Sequence, residues 1–257
     1  MDQPWMSVVV PAFNEEVAVA GTVTALRAWL EASGRPWEIV VVDNASTDTT
    51  AERLEPLLDG ERVRLLRNER NMGKGFSVRR GMLATSGELR LHCDADCAPS
   101  VGSLQRMLDL LDRADVVTGS RLAEGAEVGR RQPLRRRIVG RSFQQLCRLM
   151  LGEPTRDLFC GFKLWRGTVA DAVFSQATID GWVFDAETLA VARGLGYRVT
   201  EAGIIWNDRE GSRLSMIRVF GPVLRELIIA RKHVRAAAAR ARASSDGLVP
   251  EPADHHP

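Results

Sequence analysis

Two aspartates, Asp94 and Asp96, stand one residue apart at the end of a short apolar run, in the stretch LRLHCDADCAPS. On a strand, residues two apart point to the same face, so both carboxylates are predicted to enter one space if the strand continues through them. They repel each other unless a cation lies near them. Carboxylate oxygens select Mg²⁺ or Mn²⁺, which share their remaining positions with phosphate oxygens and water. The spacing therefore predicts a divalent ion that holds a diphosphate.

Other charged residues stand where they could complete such a pocket. Lys74 lies in the glycine-flanked stretch NMGKGF, which we interpret as a loop whose backbone can approach a ligand closely. Glu15 and Asp43 follow the first two predicted strands, and Asp43 could accept hydrogen bonds from a base N–H or ribose hydroxyls. Singly, each acid is also explained as a solvated loop carboxylate or a helix-capping charge. Together they outline a nucleotide pocket.

Basic residues are unevenly distributed along a chain whose net charge is only +2. Residues 128–152 contain seven arginines and no acid, a local patch that favours binding of phosphate. The absence of acids argues against salt bridges within this segment. The seven are Arg130, Arg131, Arg135, Arg136, Arg137, Arg141 and Arg148.

The elements that must position these residues follow an alternating order. Continuous apolar runs such as MSVVVPAF and WEIVVVDNAS alternate four times with helical patterns, including predicted helices at about 49–58 and 77–84. Runs without polar alternation indicate strands covered on both faces. The pattern therefore predicts an α/β fold with a mostly parallel central sheet flanked by helices. In such sheets ligands bind beyond the carboxyl ends of the strands, where the polar clusters lie.

The 257 residues fit one α/β domain, predicted over residues 1–233, followed by a low-complexity, disordered tail over 234–257. The four cysteines have no framework spacing, and we interpret them as reduced, buried packing residues; Cys93 and Cys97 could also form half a metal site. The N-terminus lacks the pattern of a signal peptide, and no apolar run approaches a membrane span, which favours a cytoplasmic location.

Two C-terminal helical patterns, near 138–151 and 215–232, are amphipathic. Each has two explanations: it packs on the core, or it lies at a bilayer surface. The apolar stripes are Val139, Phe143, Leu146 and Met150 in the first, and Met216, Phe220, Val223 and Leu227 in the second. With the arginine cluster, they predict a peripheral contact with an anionic membrane.

Eight motifs occur in the order seen in family 2 glycosyltransferases of the GT-A fold: VVVPAFNEE, EIVVVDNASTDTT, NMGKGFSVRRGML, DAD, VVTGSR, DLFCGFKLW, WVFDAE and EGSRLS. Over roughly residues 5–233 the chain resembles the dolichyl-phosphate and polyprenyl-phosphate glycosyltransferases, above all the dolichyl-phosphate β-glucosyltransferases. The resemblance implies an inverting transfer of a sugar from a nucleotide sugar to a polyisoprenoid phosphate at the cytosolic face of a membrane. UDP-glucose is the favoured donor, with GDP-mannose as the alternative.

The resemblance also implies roles for the residues that match its motifs. Nucleotide and diphosphate contacts fall on Pro11, Ala12, Glu15, Asp43, Lys74, Asp94 and Ala95, and the Mg²⁺ or Mn²⁺ site on Asp94 and Asp96. Acceptor phosphate contacts fall on Arg121 and Arg141. Contacts near the sugar and acceptor fall on Asp157, Gly161, Lys163, Asp185, Glu187 and Arg213.

Three departures from the family pattern bear on the donor. Asn44 and Ala45 stand where VVDDGS is typical, so an acid and a turn glycine are missing. Cys97 replaces the usual glycine after DAD, and Arg213 replaces the usual lysine of the late motif, which keeps the charge and changes its hydrogen-bond geometry.

An acceptor phosphate is already an anion and needs no catalytic base. We expect the metal at Asp94 and Asp96 to neutralise the leaving diphosphate, while Arg121 and Arg141 aim the acceptor phosphate at the anomeric carbon. One alternative is transfer to a soluble hydroxyl acceptor, with Asp157 or Asp185 as general base. Another is a nucleic-acid-binding surface, which the scarcity of aromatics among the arginines disfavours. A homo-oligomer is compatible with the sequence.

Overall fold

The computed structural model describes residues 3–129, 134–207 and 216–246. A seven-stranded sheet with the order β3-β2-β1-β4-β7-β5-β8 forms its centre, and β6 pairs with β9 in a small second sheet. The strands are β1 Met6–Ala12, β2 Trp37–Asp43, β3 Val63–Arg67, β4 Leu89–Cys93, β5 Val116–Ser120, β6 Glu127–Val128, β7 Phe162–Arg166, β8 Val199–Gly203 and β9 Ile205–Trp206.

Strand direction decides which residues meet at one edge. β1, β2, β3 and β4 pair in parallel, as do β5 and β8. β7 is inserted antiparallel between β4 and β5, so its first residues lie beside the last residues of its neighbours. The prediction of a mostly parallel α/β sheet is confirmed.

Helices cover both faces of the sheet, which explains why β1 and β2 are buried along their whole lengths. The helices are α1 Val19–Ala32, α2 Thr50–Leu54, α3 Lys74–Leu83, α4 Leu104–Leu110, α5 Leu134–Leu151, α6 Gly167–Phe174, α7 Phe184–Gly194 and α8 Met216–Asp246. Apolar residues of α1 and α4 form the core on one face. Those of α3, α5, α6, α7 and α8 form the core on the other.

Two helix boundaries differ from expectation. The predicted helix at 49–58 is a short α2 followed by a 3₁₀ turn over Glu55–Leu57. The helix expected from residue 77 begins at Lys74, because Gly73, with φ of +99°, turns the chain directly into its first turn. Lys74 is therefore fixed on a helix rather than carried by a loop.

The C-terminal helix is longer than the pattern indicates. The expected boundary at residue 233 falls inside α8, and the buried side chains of Val234 and Ala237 continue its packing on the core. The helix thus continues past the expected boundary as far as Asp246, and residues 247–257 lie outside the described residues.

Both amphipathic helices contribute to the core. Val223 and Leu227 of α8 are buried, and Phe143, Leu146 and Met150 of α5 pack against the same cluster. The side chains of Met216 and Phe220 lie outside the described part, as do those of Arg130, Arg131, Arg135, Arg136, Arg137 and Arg213. In the described part of the chain, no helix is long and apolar enough to cross a membrane.

Candidate active site

Most of the predicted site residues lie at one edge of the sheet, where β1, β2, β4 and β5 end and β7 begins. Asp43 is the last residue of β2, Asp94 follows β4, Arg121 follows β5, and Gly161 precedes β7. This is the edge at which parallel sheets bind ligands. The antiparallel β7 brings residues 157–163 to it from the opposite chain direction.

Asp94 and Asp96 lie in a turn rather than on a strand. β4 ends at Cys93, and the Cys97 backbone N–H donates to the Asp94 carbonyl at 3.0 Å. The condition that the strand continues through both aspartates is therefore not met, and the turn rather than strand alternation sets the directions of their carboxylates. The Ala95 carbonyl, between them, accepts from Thr22 Oγ1 at 2.6 Å and ties the turn to α1.

The carboxylate of Asp94 is held on both oxygens. Lys74 Nζ donates to Oδ2 at 2.7 Å, and His92 Nε2 lies 3.0 Å from Oδ1. Burial alone would raise the pKa of Asp94, but Lys74 and His92 hold it below its usual range. Burial likewise opposes the charge on Lys74, and Asp94 and Asp185 overcome it, so the pKa of Lys74 is raised. Burial lowers the pKa of His92, so a neutral imidazole donates to Asp94.

A buried ion pair between Lys163 and Asp185 lies beside His92 and Lys74. His92 of β4 and Lys163 of β7 are register partners, so they stand side by side. Lys163 Nζ donates to Asp185 Oδ1 and, at 2.6 Å, to the Cys160 carbonyl. Asp185, in the first turn of α7, also lies 3.7 Å from Lys74 Nζ through Oδ2. Lys163 and Asp185 are both almost fully buried, so they hold other groups in place.

Arg121 and Asp157 form a second buried pair. The guanidinium donates through Nε at 2.7 Å and Nη2 at 2.6 Å to the two carboxylate oxygens, and the Arg121 backbone N–H also donates to Oδ2. Burial would raise the pKa of Asp157, yet Arg121 lowers it. Both Arg121 and Asp157 lie outside the arginine-rich segment, so the absence of acids within residues 128–152 does not bear on this pair. Gln144 of α5 also donates to Asp157, at 3.2 Å.

Asp43, predicted to contact the nucleotide, is fully buried at the end of β2. Its Oδ1 accepts from the Ser46 backbone N–H at 3.0 Å. Arg67 Nε lies 3.0 Å from Oδ2, but this oxygen accepts no hydrogen bond from the described residues. Pro11 and Ala12 lie beside this end of β2 as its register neighbours. Glu15 follows them and is fixed by its backbone N–H on Thr50 Oγ1.

Asn44, which departs from the family pattern, is buried, and its side chain makes three hydrogen bonds. Its amide donates to Asn71 Oδ1 at 2.8 Å and accepts from Asn68 Nδ2 at 2.8 Å and the Met72 backbone N–H at 2.9 Å. A carboxylate could not make the donor contact. The substitution therefore fixes the loop that leads to Lys74.

Three further predicted residues are Glu187, Arg141 and Gly161, which lies beside Asp94. A Cβ at Gly161 would overlap the carboxylate of Asp94, so glycine lets the backbone of β7 approach the metal motif. Glu187 is buried away from the edge and accepts from Thr178, Ile179 and His233. Arg141 is exposed on α5.

Three side chains at this edge were not predicted from the sequence: His92, Gln144 and Trp182. His92 stands two residues before Asp94, but its register with Lys163 is visible only in the sheet. Gln144 is hidden among arginines. Trp182, whose ring centroid is 5.6 Å from Lys74 Nζ, lies inside a motif that drew attention only to its acids. All four cysteines are buried thiols, and among the described residues no group of three or more His, Cys, Asp or Glu could hold a metal alone.

The chain is similar to known proteins in sequence and in fold. Residues 7–174 match the model of glycosyl transferase family 2. The chain is 34% identical over 221 residues to a dolichyl-phosphate beta-glucosyltransferase of Trichomonas vaginalis, with 81% of this chain and 65% of that protein covered. It is 33% identical to the dolichyl-phosphate beta-glucosyltransferase of Drosophila melanogaster, with 82% and 69% covered. The human enzyme of that name is 30% identical, with 81% and 69% covered.

Among solved structures, the chain is similar to glucosyl-3-phosphoglycerate synthase from Mycobacterium tuberculosis in complex with Mn²⁺, UDP-glucose and phosphoglyceric acid. The TM-score is 0.67 at 17% identity, and the match covers 89% of this chain and 80% of the other. That likeness shows a shared GT-A fold. With the family match and the relatives at 30% identity and above, it places this chain in glycosyl transferase family 2.

Proposed function

We propose that this glycosyltransferase moves glucose from UDP-glucose to the phosphate of a polyprenyl lipid of the dolichyl type, at a membrane surface. The relatives named above as dolichyl-phosphate beta-glucosyltransferases support the substrate class. The mycobacterial structure with UDP-glucose and Mn²⁺ supports the donor and the metal.

The observation that carries the proposal is the state of the two candidate bases. Asp157 is bound by Arg121, which lowers its pKa, and Asp185 is bound by Lys163 beside Lys74. A general base for a hydroxyl acceptor works best with a pKa near the working pH and a free lone pair. Carboxylates held in buried ion pairs are poorly suited to that role. A phosphate acceptor is already ionised, so the site favours it.

The donor set fits a divalent metal shared with substrate. Asp96 is half-buried in the turn after β4, and Asp94 is oriented by Lys74 and His92. Mg²⁺ is typically held by one or two carboxylates together with substrate phosphates rather than by a protein cage. A site of two aspartates matches that habit. When bound, the metal would neutralise the charge of the leaving diphosphate.

Side chains of the protein bind the diphosphate, the nucleotide and the acceptor phosphate. Lys74 adds positive charge beside the diphosphate, and Oδ2 of Asp43, which pairs with Arg67 but accepts no hydrogen bond from the described residues, can receive an N–H of the base or a ribose hydroxyl. Arg121, fixed by Asp157, holds the lipid phosphate with Arg141 so that one of its oxygens attacks the anomeric carbon. The new bond joins that carbon to the acceptor phosphate, the bond to the diphosphate breaks, UDP leaves, and the centre inverts.

The test is transfer of radiolabelled sugar into a butanol-extractable lipid with polyprenyl phosphate and Mn²⁺. We expect label from UDP-glucose and not from GDP-mannose. Asp96→Ala should lower the rate by about 100-fold or more, the scale seen when one preorganised electrostatic group is removed. Asp112→Ala, an exposed acid after α4, is the matched control and should leave the rate unchanged.

Two results would contradict the proposal. Label from GDP-mannose alone would overturn the donor. Transfer to a water-soluble hydroxyl acceptor, with none to the lipid, would overturn the acceptor and restore the general-base alternative.

A further inference from the structure

Trp182 is a large aromatic side chain left in solvent beside the candidate site. It is 40% exposed, whereas Trp5, Trp37 and Trp165 are buried and the other two of the six tryptophans are half-buried. Burying an indole is favourable, so this one, exposed beside Lys74 of the candidate site, offers apolar area that a ligand can cover.

The backbone on both sides of Trp182 is held firmly. The Val183 N–H donates to Glu226 of α8 at 3.2 Å, and a Cβ at Gly181 would overlap that carboxylate. The Asp180 carbonyl accepts from the Phe76 N–H at 3.2 Å, and Asp180 also pairs with Arg79 at 2.7 Å. The indole is therefore presented on a fixed segment, which reduces the ordering cost of binding.

The neighbours of the indole locate it at the donor end. Lys74 Nζ lies 5.6 Å from the ring centroids of both Trp182 and Phe184, and it donates to Asp94 of the metal motif. Arg121, the acceptor candidate, has its own aromatic neighbour in Trp206, at 5.4 Å. Each cation of the site thus has an indole beside it, and the one at the diphosphate end is Trp182.

We propose that Trp182 forms one wall of the donor-sugar subsite, where the apolar C–H face of the hexose stacks on the indole beside Lys74. The inference rests on the proposed function, since the hexose is the group attached to the diphosphate. A pyranose has an apolar face and a rim of hydroxyls. The indole fits the face, and the charged groups around Asp94 and Lys74 can bind the rim.

The experiment compares the dissociation constants of UDP-glucose and UDP by titration calorimetry with Mn²⁺. Trp182→Ala should weaken UDP-glucose by about fivefold to tenfold, the range of an aromatic stacking contact, and change UDP by less than about twofold. Trp182→Phe, which keeps a ring, should retain most of the affinity. Trp29→Phe, a half-buried tryptophan on α1, is the matched control for a change of aromatic residue. Circular dichroism should show the same fold in every variant.

Several outcomes would overturn the inference. Equal weakening of UDP and UDP-glucose would place the effect on the nucleotide or on the fold. Unchanged UDP-glucose binding with a raised KM for polyprenyl phosphate would show that the indole faces the lipid. If the wild-type protein binds UDP-glucose but labels no lipid, the proposed acceptor fails while the ratio of the two constants still decides the role of Trp182. If it binds no UDP-glucose, both fail.

Discussion

At the residue scale, Ala45 has a backbone conformation that alanine adopts at a cost. Its φ is +60°, in the left-handed region, where the Cβ of an L-residue crowds the following carbonyl. The turn lies directly after Asp43 and Asn44. Its geometry explains why the family pattern carries glycine at this position.

Ala45→Gly should therefore stabilise the protein. We expect a gain of about 0.5–1 kcal/mol in the free energy of unfolding, because relief of about 1–2 kcal/mol of left-handed strain exceeds the extra entropy of glycine in the unfolded chain. Urea unfolding measures it. Ala28→Gly, exposed within α1, is the control and should lose about 0.5–1 kcal/mol. Equal losses in both variants would refute the strain at Ala45.

The position of a charged residue in the sequence does not show whether it binds a substrate or pairs with another residue of the protein. Asp94, Asp157 and Asp185 each bind a cation, and Lys163 is buried with the third. Removing one partner of such a buried pair typically costs about 3–5 kcal/mol. A loss of activity in a Lys163 or Asp185 variant would thus report stability as well as chemistry, which is why Asp96 is the better target for a functional test.

At the element scale, α8 holds the segment that carries Trp182. Glu226 accepts from the backbone of residue 183, and His233 donates to Glu187, which in turn accepts from Thr178 and Ile179. The same segment packs on Gly73 and Gly75 beside Lys74, where a Cβ would overlap the carbonyls of Asp180 and Ile179. The last long helix of the described chain is thereby part of the site's support.

Glu226 should give this support a pH dependence. Burial raises its pKa, and the negative charges of Asp180 and Glu187 add to the effect, while the N–H groups of Trp182 and Val183 oppose it. A carboxyl with a raised pKa in the folded state contributes stability that is present below its unfolded pKa. That contribution is lost as the pH rises through the folded pKa.

Glu226→Gln removes this titration and keeps an acceptor for Val183. Its free energy of unfolding relative to wild type should therefore increase as the pH rises from the ordinary range of glutamate toward neutrality. Urea unfolding over that pH series measures the difference. Glu88→Gln, an exposed glutamate, controls for the loss of one negative charge. A difference that stays constant with pH would contradict the assignment.

At the scale of the whole molecule, α5 and α8 pack together and leave apolar side chains in solvent. Leu149 of α5 and Leu224, Ile228 and Ile229 of α8 are exposed, while Val223, Leu227 and Val234 of α8 face the core. The exposed side of the two helices also carries basic residues: Arg141, Arg225, Lys232 and Arg235. We propose that this surface, α5 with α8, contacts an anionic membrane, since apolar burial and about 1 kcal/mol per basic residue act together.

The double variant Leu149→Gln and Ile228→Gln should bind anionic vesicles about tenfold or more weakly, since it removes apolar groups worth about 0.8 kcal/mol per buried methylene. Co-sedimentation with vesicles of phosphatidylserine and phosphatidylcholine measures it. The control variant, Val17→Gln with Leu83→Gln, removes two exposed apolar residues, one in the turn before α1 and one at the end of α3, and should bind normally. Equal binding by both double variants would exclude this surface.

The fold class and much of the candidate site follow from local patterns in the sequence. Long buried runs such as those of β1 and β2 are read locally, and the carboxyl ends of parallel strands necessarily share an edge. Asp43, Lys74 and Asp94 could therefore be assigned to one site before any contact was known, whereas Arg121 and Gly161 were added by the resemblance to the family. The family could also be recognised from the sequence, because each of its motifs is short and continuous and the motifs occur in a fixed order.

The pairing of the charged side chains depends on contacts between distant parts of the chain. Lys74 and Asp94 are 20 residues apart in the chain, Lys163 and Asp185 are 22 apart, and Arg121 and Asp157 are 36 apart. No local pattern states such pairings, because they depend on the insertion of β7 between β4 and β5 and on where α7 begins. His92 contacts Asp94 only because β4 ends before Asp94. Trp182 lies beside Lys74 because α8 holds the segment that carries it. Long-range packing sets these contacts, and with them which acids support the site through buried ion pairs.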